Sequence, residues 1–441
     1  GTVYLDGCAA DLVGGVNTGG GAADVGLYDI VVAELNDAGI PFIELGGVQP
    51  NPRLSLVKKG LEQAKAEGAD FFLAVGGGSV IDCCKVISAQ ALLDEDIWEM
   101  EYGKGQFPNA GIPVGAVVTA SGTGAEMNAG GVITHEEKKW KGGIFGIAPV
   151  FAVLDPAYTM SVPPMQVLSG AFDTLSHAME TYFGNSDQDN VSDDVALAVM
   201  RNTVVNMRRL LKNINDRQAR SNLMWDSAMA ENGILKCGRL TDFQTHQIEH
   251  QLGAYTDCNH GQGLAVIHPV YYRHIVKDAP EKFARLAKDV FGQDTAEAGV
   301  AALESFIKEC GLPTKLSRLK STVEITPEVL RQVADTCNII KAGPRELSRD
   351  EIYEILMDAY KEGRRTGRNN LLHFERAGWK TTGAFMRTEA AGKAGEEYAR
   401  IRTEYRTDAW LYRTVTTKEL TGERKPEIGP ASEISPGDSV A

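Results

Sequence analysis

Three of the eight histidines in this 441-residue chain, His246, His250 and His260, lie within fifteen consecutive positions. An earlier segment, GAFDTLSHAMETYF, places Asp173 and His177 four residues apart. Residues four apart share one face of a helix, so two facing helices could present one carboxylate and several imidazoles to a single metal ion. Such a set of nitrogen and oxygen donors suits Zn²⁺ or Fe²⁺ and is a poor match for Ca²⁺ or Mg²⁺.

Two other interpretations of these histidines are open. A single histidine on a helix is usually a structural residue whose ring is satisfied by ordinary hydrogen bonds. The stretch HQIEH also matches the H-x-x-E-H pattern of inverted zinc peptidases, in which His246 and His250 would bind zinc and Glu249 would be the base. That pattern leaves His260 without a function, and it gives none to the glycine turns in the first half of the chain.

Two glycine-rich turns follow strands that are predicted to be buried. LAVGGGSVID carries three glycines at 76–78, and a helix is predicted to open at Ser79. Backbone N–H groups and the helix dipole at such a turn bind a pyrophosphate, and glycine lets the anion approach closely. VTASGTGAEMN at 118–128 repeats the arrangement with three hydroxyls, those of Thr119, Ser121 and Thr123. The G-x-G-x-x-G fingerprint is absent, but two such turns after consecutive strands favour a dinucleotide site.

The secondary structure predicted to position these residues differs between the first and second halves of the chain. From about 27 to 155 strands and helices alternate, and one helix is predicted to start at Asn51-Pro52 with Asn51 as its cap. DFFLAV and IPVGAVVTA are apolar enough for strands covered on both faces, and GGVITHEEKKWKGGIFG has the pattern of a hairpin. This alternation is typical of a βαβ-type dinucleotide domain.

From Pro163 to about Gly363 nearly every segment has helical periodicity. Helix starts are predicted at Ser192 and Thr326, and SRDE at 348–351 has the form of a capping box. We therefore predict an α/β dinucleotide-binding domain over 1–160 and an all-α metal-binding domain over 161–363. A C-terminal extension of unknown structure follows over 364–441, and its end has a composition typical of disorder.

Composition narrows the function classes. The net charge of −14 makes nucleic acid and anionic membrane surfaces poor partners. No apolar run reaches the ~18 residues of a membrane helix. Seven cysteines without paired C-x-x-C spacing indicate reduced thiols and a cytoplasmic setting. Residues 1–26 are too rich in glycine and alanine to place a strand.

Four segments resemble the iron-containing (group III) alcohol dehydrogenases. They are VQPNPRLSLVKKGLEQAKAEGADFFLAVGGGSVIDCCKVIS, SGTGAEMNAGGVIT, GAFDTLSHAMETYF and THQIEHQLGAYTDCNHGQGLAVIHP. The resemblance covers roughly residues 17–362, in order, and the subgroup looks like that of the NADP-dependent butanol dehydrogenases and aldehyde reductases. It implies the dehydroquinate synthase-like architecture of that family, an α/β domain followed by an all-helical one.

The resemblance also implies roles for individual residues. The metal ligands would be Asp173, His177, His246 and His260, whereas helix geometry alone favours His246 with His250. His250 would lie beside the nicotinamide, and we consider it a candidate proton shuttle with an unperturbed pKa near ~6.5. The implied coenzyme contacts are Gly77, Gly78 and Ser79 with the pyrophosphate, Thr119 and Thr123 in the cleft, and Lys141 with the nicotinamide ribose.

The implied activity is hydride transfer between NAD(P)H and an aldehyde or primary alcohol, assisted by Fe²⁺ or Zn²⁺ as a Lewis acid. NADP is favoured over NAD because NTGGGAADVG has glycines where NAD-preferring relatives carry an acidic residue. The resemblance also implies a homodimer. Two alternatives are a glycerol dehydrogenase-like enzyme of the same fold and a catalytically silent binding protein. The four intact ligand positions argue against a silent protein.

Overall fold

The computed structural model describes residues 2–7, 26–184, 190–360 and 410–412, and for the first and last of these ranges it describes the backbone. The stretch NTGGGAADVG, on which the NADP prediction depends, lies outside the described residues except for its last position. Nearly all of the C-terminal extension, including the end predicted to be disordered, is also outside them.

A six-stranded sheet forms the centre of the first region, in the order β2-β1-β3-β4-β7-β8. Its strands are β1 (Thr2–Gly7), β2 (Phe42–Leu45), β3 (Ala69–Gly76), β4 (Val114–Val118), β7 (Phe151–Leu154) and β8 (Trp410–Tyr412). All neighbours pair in parallel except β7 and β8. The first strand falls within residues 1–26, where sequence composition gave no strand.

Three helices and a hairpin complete this region. The helices are α1 (Leu27–Asp37), α2 (Leu54–Glu67) and α3 (Gly78–Gln90), and the antiparallel hairpin is β5 (Gly130–His135) with β6 (Trp140–Phe145). Nearly all of α3 is buried, because it packs between the sheet and the hairpin. Parallel strands covered on both faces explain why β4 is apolar at every position.

The predicted cap at Asn51 is wrong. The helix α2 begins at Leu54 after Arg53, and no side chain caps it. Asn51 has a left-handed backbone with φ 56° and donates a side-chain hydrogen bond of 3.0 Å to Asp257 Oδ1. A contact with the second region, 206 positions away, thus takes the place of the local cap.

The second region is helical, and the predicted fold class is confirmed. Its helices are α4 (Pro164–Tyr182), α5 (Val191–Lys212), α6 (Arg217–Glu231), α7 (Gln244–Thr256), α8 (His260–Ile275), α9 (Pro280–Phe291), α10 (Ala296–Glu309), α11 (Pro327–Thr336) and α12 (Arg349–Tyr360). They share one continuous apolar core. None of the described helices is long and apolar enough to cross a bilayer.

Two of the three predicted helix starts are confirmed. Thr326 accepts a hydrogen bond from the backbone N–H of Val329, and Ser348 and Glu351 exchange the reciprocal bonds of a capping box. The start predicted at Ser192 is wrong by two residues, because the side chain of Asn190 caps α5 instead. Both residues are cap-forming types, so residue type alone does not choose between them.

Candidate metal and coenzyme site

Three helices bring the predicted metal ligands together. Asp173 and His177 lie one turn apart on α4, while His246 on α7 and His260 at the start of α8 face them. Asp173 Oδ1 is 3.4 Å from His246 Nε2, 3.4 Å from His260 Nε2 and 3.7 Å from His177 Nδ1. The imidazole rings of His177 and His246 stack with their centroids 4.5 Å apart.

This arrangement fits a divalent metal. Ligand atoms of a tetrahedral site with bonds of 2.0–2.1 Å stand about 3.4 Å apart, which is close to the three separations around Asp173 Oδ1. Asp173 Oδ1, His177 Nδ1 and His246 Nε2 are buried, and none of them has a hydrogen-bond partner among the described residues. Polar atoms in such a position are costly unless something binds them.

Glu180 lies behind His246 on the side away from Asp173. Its carboxylate accepts a hydrogen bond from His246 Nδ1 and another, of 2.6 Å, from the backbone N–H of Thr245. A carboxylate at one ring nitrogen fixes the tautomer and turns the lone pair of the other nitrogen toward the metal position. Glu180 is fully buried, so water does not compete for the hydrogen bonds that orient the His246 ring.

Glu249 stands in the same relation to His260. Its Oε2 accepts from His260 Nδ1 and, at 3.2 Å, from Lys141 Nζ on β6. Because this carboxylate is fully buried and bonded on both sides, it is not positioned to activate a water molecule. The geometry therefore does not support the zinc-peptidase interpretation, which assigned Glu249 as a base beside His246 and His250.

The charges of the site favour a cation. Burial alone would raise the pKa of Asp173, but the nearby imidazoles of His177 and His260 outweigh it and hold that pKa well below its usual range. Burial alone would lower the pKa of His246, whereas Glu180 and Asp173 raise it to about 10. Three buried carboxylates, Asp173, Glu180 and Glu249, thus stabilise positive charge where the histidines converge.

His250 differs from the expectation of an unperturbed pKa near ~6.5. Burial, with a smaller contribution from the Lys141 ammonium, holds the pKa of His250 well below its usual value. The ring is therefore neutral at neutral pH. It lines the cleft, and its centroid is 5.4 Å from that of His260. The structure places His260, not His250, beside Asp173 Oδ1.

The predicted glycine turns line the same cleft, which encloses about 700 Å³. Gly77, Gly78 and Ser79 connect β3 to the N-terminus of α3 and lie on one side of it, together with Thr123 of the second turn. The two turns touch each other so closely that a Cβ on Gly78 would be 2.2 Å from Thr123 Oγ1. Lys141 also lines the cleft, near the metal ligands.

Thr119 does not lie where it was expected. It is buried and is not one of the residues that line the cleft. Its backbone N–H donates to Gly76 O at 3.0 Å, so its observed role is to join the end of β4 to the end of β3. The sequence alone does not indicate whether a threonine next to a glycine turn acts through its backbone N–H or through its hydroxyl group.

The second turn is held by residues that the sequence did not reveal. Ser227 Oγ of α6 accepts from the backbone N–H groups of Gly122 and Gly124 at 2.9 and 3.0 Å. Thr174, next to the predicted ligand Asp173, donates its hydroxyl to Gly122 O at 3.1 Å. The second glycine turn is therefore fastened directly to the helix that carries Asp173 and His177.

Glu180 was also missed, although a signal for it exists. It lies seven residues after Asp173 and three after His177, on the same face of α4. A D-x₃-H-x₂-E pattern on one helix could therefore have indicated a ligand pair with a supporting carboxylate. For Ser227, which acts on a loop more than a hundred positions away, we find no comparable signal.

Comparison with known proteins finds matches over both regions of the chain. Residues 15–156 match the family described as iron-containing alcohol dehydrogenase, and residues 167–360 match the C-terminal domain of Fe-containing alcohol dehydrogenases. The chain is 35% identical over 350 residues to the probable NADH-dependent butanol dehydrogenase 1 of Bacillus subtilis, covering 77% of this chain and 89% of that protein. It is 31% identical over 327 residues to the NADPH-dependent aldehyde reductase YqhD of Escherichia coli, covering 72% and 84%.

A similar solved structure is that of NADH-dependent butanol dehydrogenase A from Thermotoga maritima. It superimposes with a TM-score of 0.74 at 34% identity, and the match covers 82% of this chain and 91% of that one. The likeness therefore extends over both the sheet region and the helical region.

Proposed function

Since this chain belongs to the family of iron-containing alcohol dehydrogenases, we propose that it works in the cleft between its two glycine turns and Asp173. It is an oxidoreductase that transfers a hydride between NAD(P)H and an aldehyde or primary alcohol. The observation that carries the assignment of the site is the convergence of three imidazoles on Asp173 Oδ1 within the cleft that the turns line.

We assign Asp173, His177, His246 and His260 as ligands of one divalent metal, which is iron in this family. When bound, the metal supplies a positive charge that polarises the carbonyl group and stabilises negative charge developing on its oxygen. The chain contributes the orientation of the ligand rings, since Glu180 and Glu249 hold the outer nitrogens of His246 and His260.

His250 is assigned as the proton shuttle. A neutral imidazole carries one N–H donor and one acceptor nitrogen, so it can pass a proton between the substrate oxygen and solvent without keeping a charge. Its position on the cleft beside His260 supports this role.

Coenzyme binding is assigned to the first domain, over 1–160, and metal binding to the second, over 161–363. Gly77, Gly78 and Ser79 would hold the pyrophosphate through backbone N–H groups at the start of α3, where the helix dipole favours an anion. Thr123 would complete this cradle, and Lys141 would contact the nicotinamide ribose. The support is that all five line the cleft.

Four finer assignments belong to the same proposal. NADP is preferred to NAD because of the glycines in NTGGGAADVG, while the relatives include enzymes named for each coenzyme. Zn²⁺ is the alternative metal, since its preferred donors are the same. The enzyme is cytoplasmic, as the cysteine pattern suggests. It forms a homodimer, and β2, the strand at one end of the sheet, offers an edge for pairing.

The test is oxidation of NADPH and of NADH with butyraldehyde, using protein loaded with Fe²⁺ or Zn²⁺ and protein stripped of metal. We expect turnover that depends on the metal and is faster with NADPH. Faster turnover with NADH would change the coenzyme preference alone. If the metal-loaded protein oxidises neither coenzyme with any of a series of aldehydes, this chain is not the enzyme proposed.

A further inference from the structure

Glu249 touches both halves of the proposed site with one carboxylate oxygen. Oε2 accepts a hydrogen bond from His260 Nδ1, and it also forms an ion pair of 3.2 Å with Lys141 Nζ. The side chains of Glu249 and Lys141 are 0% and 4% exposed, so water does not screen their attraction. One residue thus contacts an assigned metal ligand and an assigned coenzyme contact.

Two glycines lie beside this contact, and the second of them leaves space that a side chain would fill. Gly253 lies one turn after Glu249 on α7, and a Cβ there would stand 3.4 Å from Lys141 Nζ. Gly263 lies one turn after the start of α8, and its Cβ would be 2.8 Å from Glu249 Cγ. Both helices therefore lack a side chain where the Glu249–Lys141 pair passes between them.

Glu180 provides a natural comparison. It is equally buried and holds His246 as Glu249 holds His260. However, its side-chain contacts in the described residues come from the helical region alone, from Ser176, Thr245, His246 and His268. Glu249 is the carboxylate that reaches across to the hairpin of the coenzyme region, through Lys141 on β6.

We propose that Glu249 is a positioning residue that links coenzyme binding to metal binding; the inference rests on the ligand and coenzyme assignments made above. On the metal side it fixes the ring of His260 so that Nε2 faces Asp173. On the coenzyme side it pairs with the Lys141 ammonium, whose Nζ also lies 3.4 Å from His260 Nδ1 and which keeps a further N–H donor for the cleft. Replacing this carboxylate should therefore weaken both kinds of binding.

The test uses three variants and two binding measurements that do not depend on turnover. Zn²⁺ affinity is measured by competition with a chromophoric chelator, and NADPH affinity is measured by fluorescence titration of the metal-free protein. Glu180→Gln should weaken Zn²⁺ binding by about 10- to 100-fold and leave NADPH binding within about twofold. Lys141→Met should weaken NADPH binding about tenfold without weakening Zn²⁺ binding, because removing an ammonium beside His260 does not disfavour a cation.

Glu249→Gln should weaken both affinities by these amounts. The inference is overturned if Glu249→Gln behaves like Glu180→Gln, or if it changes neither affinity. Glu249→Asp, which shortens the side chain by one methylene, provides the same comparison should the glutamine variant not fold. Circular dichroism of the metal-free proteins identifies a variant that has lost structure.

The wild-type measurements separate this inference from the proposed function. If the wild-type protein binds neither Zn²⁺ nor NADPH, the assignment of the cleft itself is wrong. If it binds both and Glu249→Gln weakens one or neither, the assignment of the cleft stands and the link through Glu249 is wrong.

Discussion

The two sides of the cleft are formed by different kinds of residue. The coenzyme wall, residues 77–79 and 120–123, consists of backbone and small side chains placed after the ends of two parallel strands. The metal wall consists of the four assigned ligands with Glu180 and Glu249, nearly all of them buried charged or titratable side chains. Space limits what the coenzyme wall tolerates, whereas the metal wall depends on the balance of buried charge.

The largest effect is expected from removing a ligand of the metal wall. Asp173→Asn and His260→Ala should each lose bound metal and reduce kcat/KM by at least about 10³-fold, since the metal provides several kcal/mol of stabilisation. Metal content by elemental analysis and aldehyde-dependent NADPH oxidation measure the two losses.

His274→Ala is the matched control for these variants. This histidine lies on α8 with His260, but it pairs with Glu351 outside the cleft, at 3.3 Å. We expect its metal content and turnover to be unchanged. If Asp173→Asn keeps its full metal content and normal turnover, the assignment of the metal wall as the metal site is wrong.

The coenzyme wall can be tested by two neighbouring glycines that differ in the space around them. A Cβ on Gly78 would overlap Thr123, so Gly78→Ala should destabilise the fold itself by about 1–3 kcal/mol. A Cβ on Gly77 would rest 3.4 Å from Ala120 Cβ, so Gly77→Ala should fold normally. There the methyl group meets the incoming anion, and NADPH affinity should fall by about tenfold, or about 1.4 kcal/mol.

Thermal melting and fluorescence titration distinguish these two outcomes. Zn²⁺ affinity should be unchanged in Gly77→Ala, because this glycine belongs to the coenzyme wall. Normal NADPH affinity in Gly77→Ala would mean that the pyrophosphate does not approach this turn. A drop in melting temperature for Gly77→Ala as large as that for Gly78→Ala would show that the space at the first turn is smaller than described.

A titration near neutral pH is expected at Glu101, which contacts the hairpin strand β6, and it tests whether buried titratable charge is confined to the metal wall. Burial raises the pKa of Glu101 to about 7, although its carboxylate accepts two bonds from the backbone N–H of Phe145. The folded protein therefore binds this proton more tightly than the unfolded chain does. Stability should fall as pH rises from about 4.5 to about 7 and stay level above that range.

Urea denaturation at pH 5 and pH 8 measures this effect. Relative to the wild type, Glu101→Gln should gain about 1–2 kcal/mol more at pH 8 than at pH 5. Glu99→Gln, a neighbouring exposed carboxylate paired with Lys138, is the control and should show little difference between the two pH values. An equal response of the two variants would mean that Glu101 ionises freely.

The contrast between the walls also explains which parts of the fold and of the site could be predicted from the sequence. The metal wall is made of rare residue types at helical spacing, so its helices and the fold class were predictable. The assignment of His260 rather than His250 needed the family resemblance, because spacing on one helix favours residues four apart. Glu180 follows the same helical spacing, so the sequence contains a signal for this residue as well.

The coenzyme wall was predictable in position but not in detail. Gly78 is revealing because a side chain there would overlap Thr123, yet Thr119 and Thr123 have the same composition signal and of the two only Thr123 lines the cleft. Strand β1 was missed because its place in the sheet depends on β2 and β3, which pair with it on either side. Contacts between distant segments decide these features, and local sequence does not contain them.

Asn51 lies where the two regions meet and is a position where local prediction was wrong, so it gives the smallest and most specific test. Its side chain donates to Asp257, the residue that ends α7, and both residues have left-handed backbones. Asn51→Gly keeps this conformation without steric cost and removes the hydrogen bond, at a cost of about 1 kcal/mol in urea denaturation. Asn51→Ala should lose about 1 kcal/mol more, because alanine resists the left-handed region. Equal losses would mean that the hydrogen bond alone selects asparagine, whereas no loss with glycine would mean that other contacts hold the coenzyme region against α7.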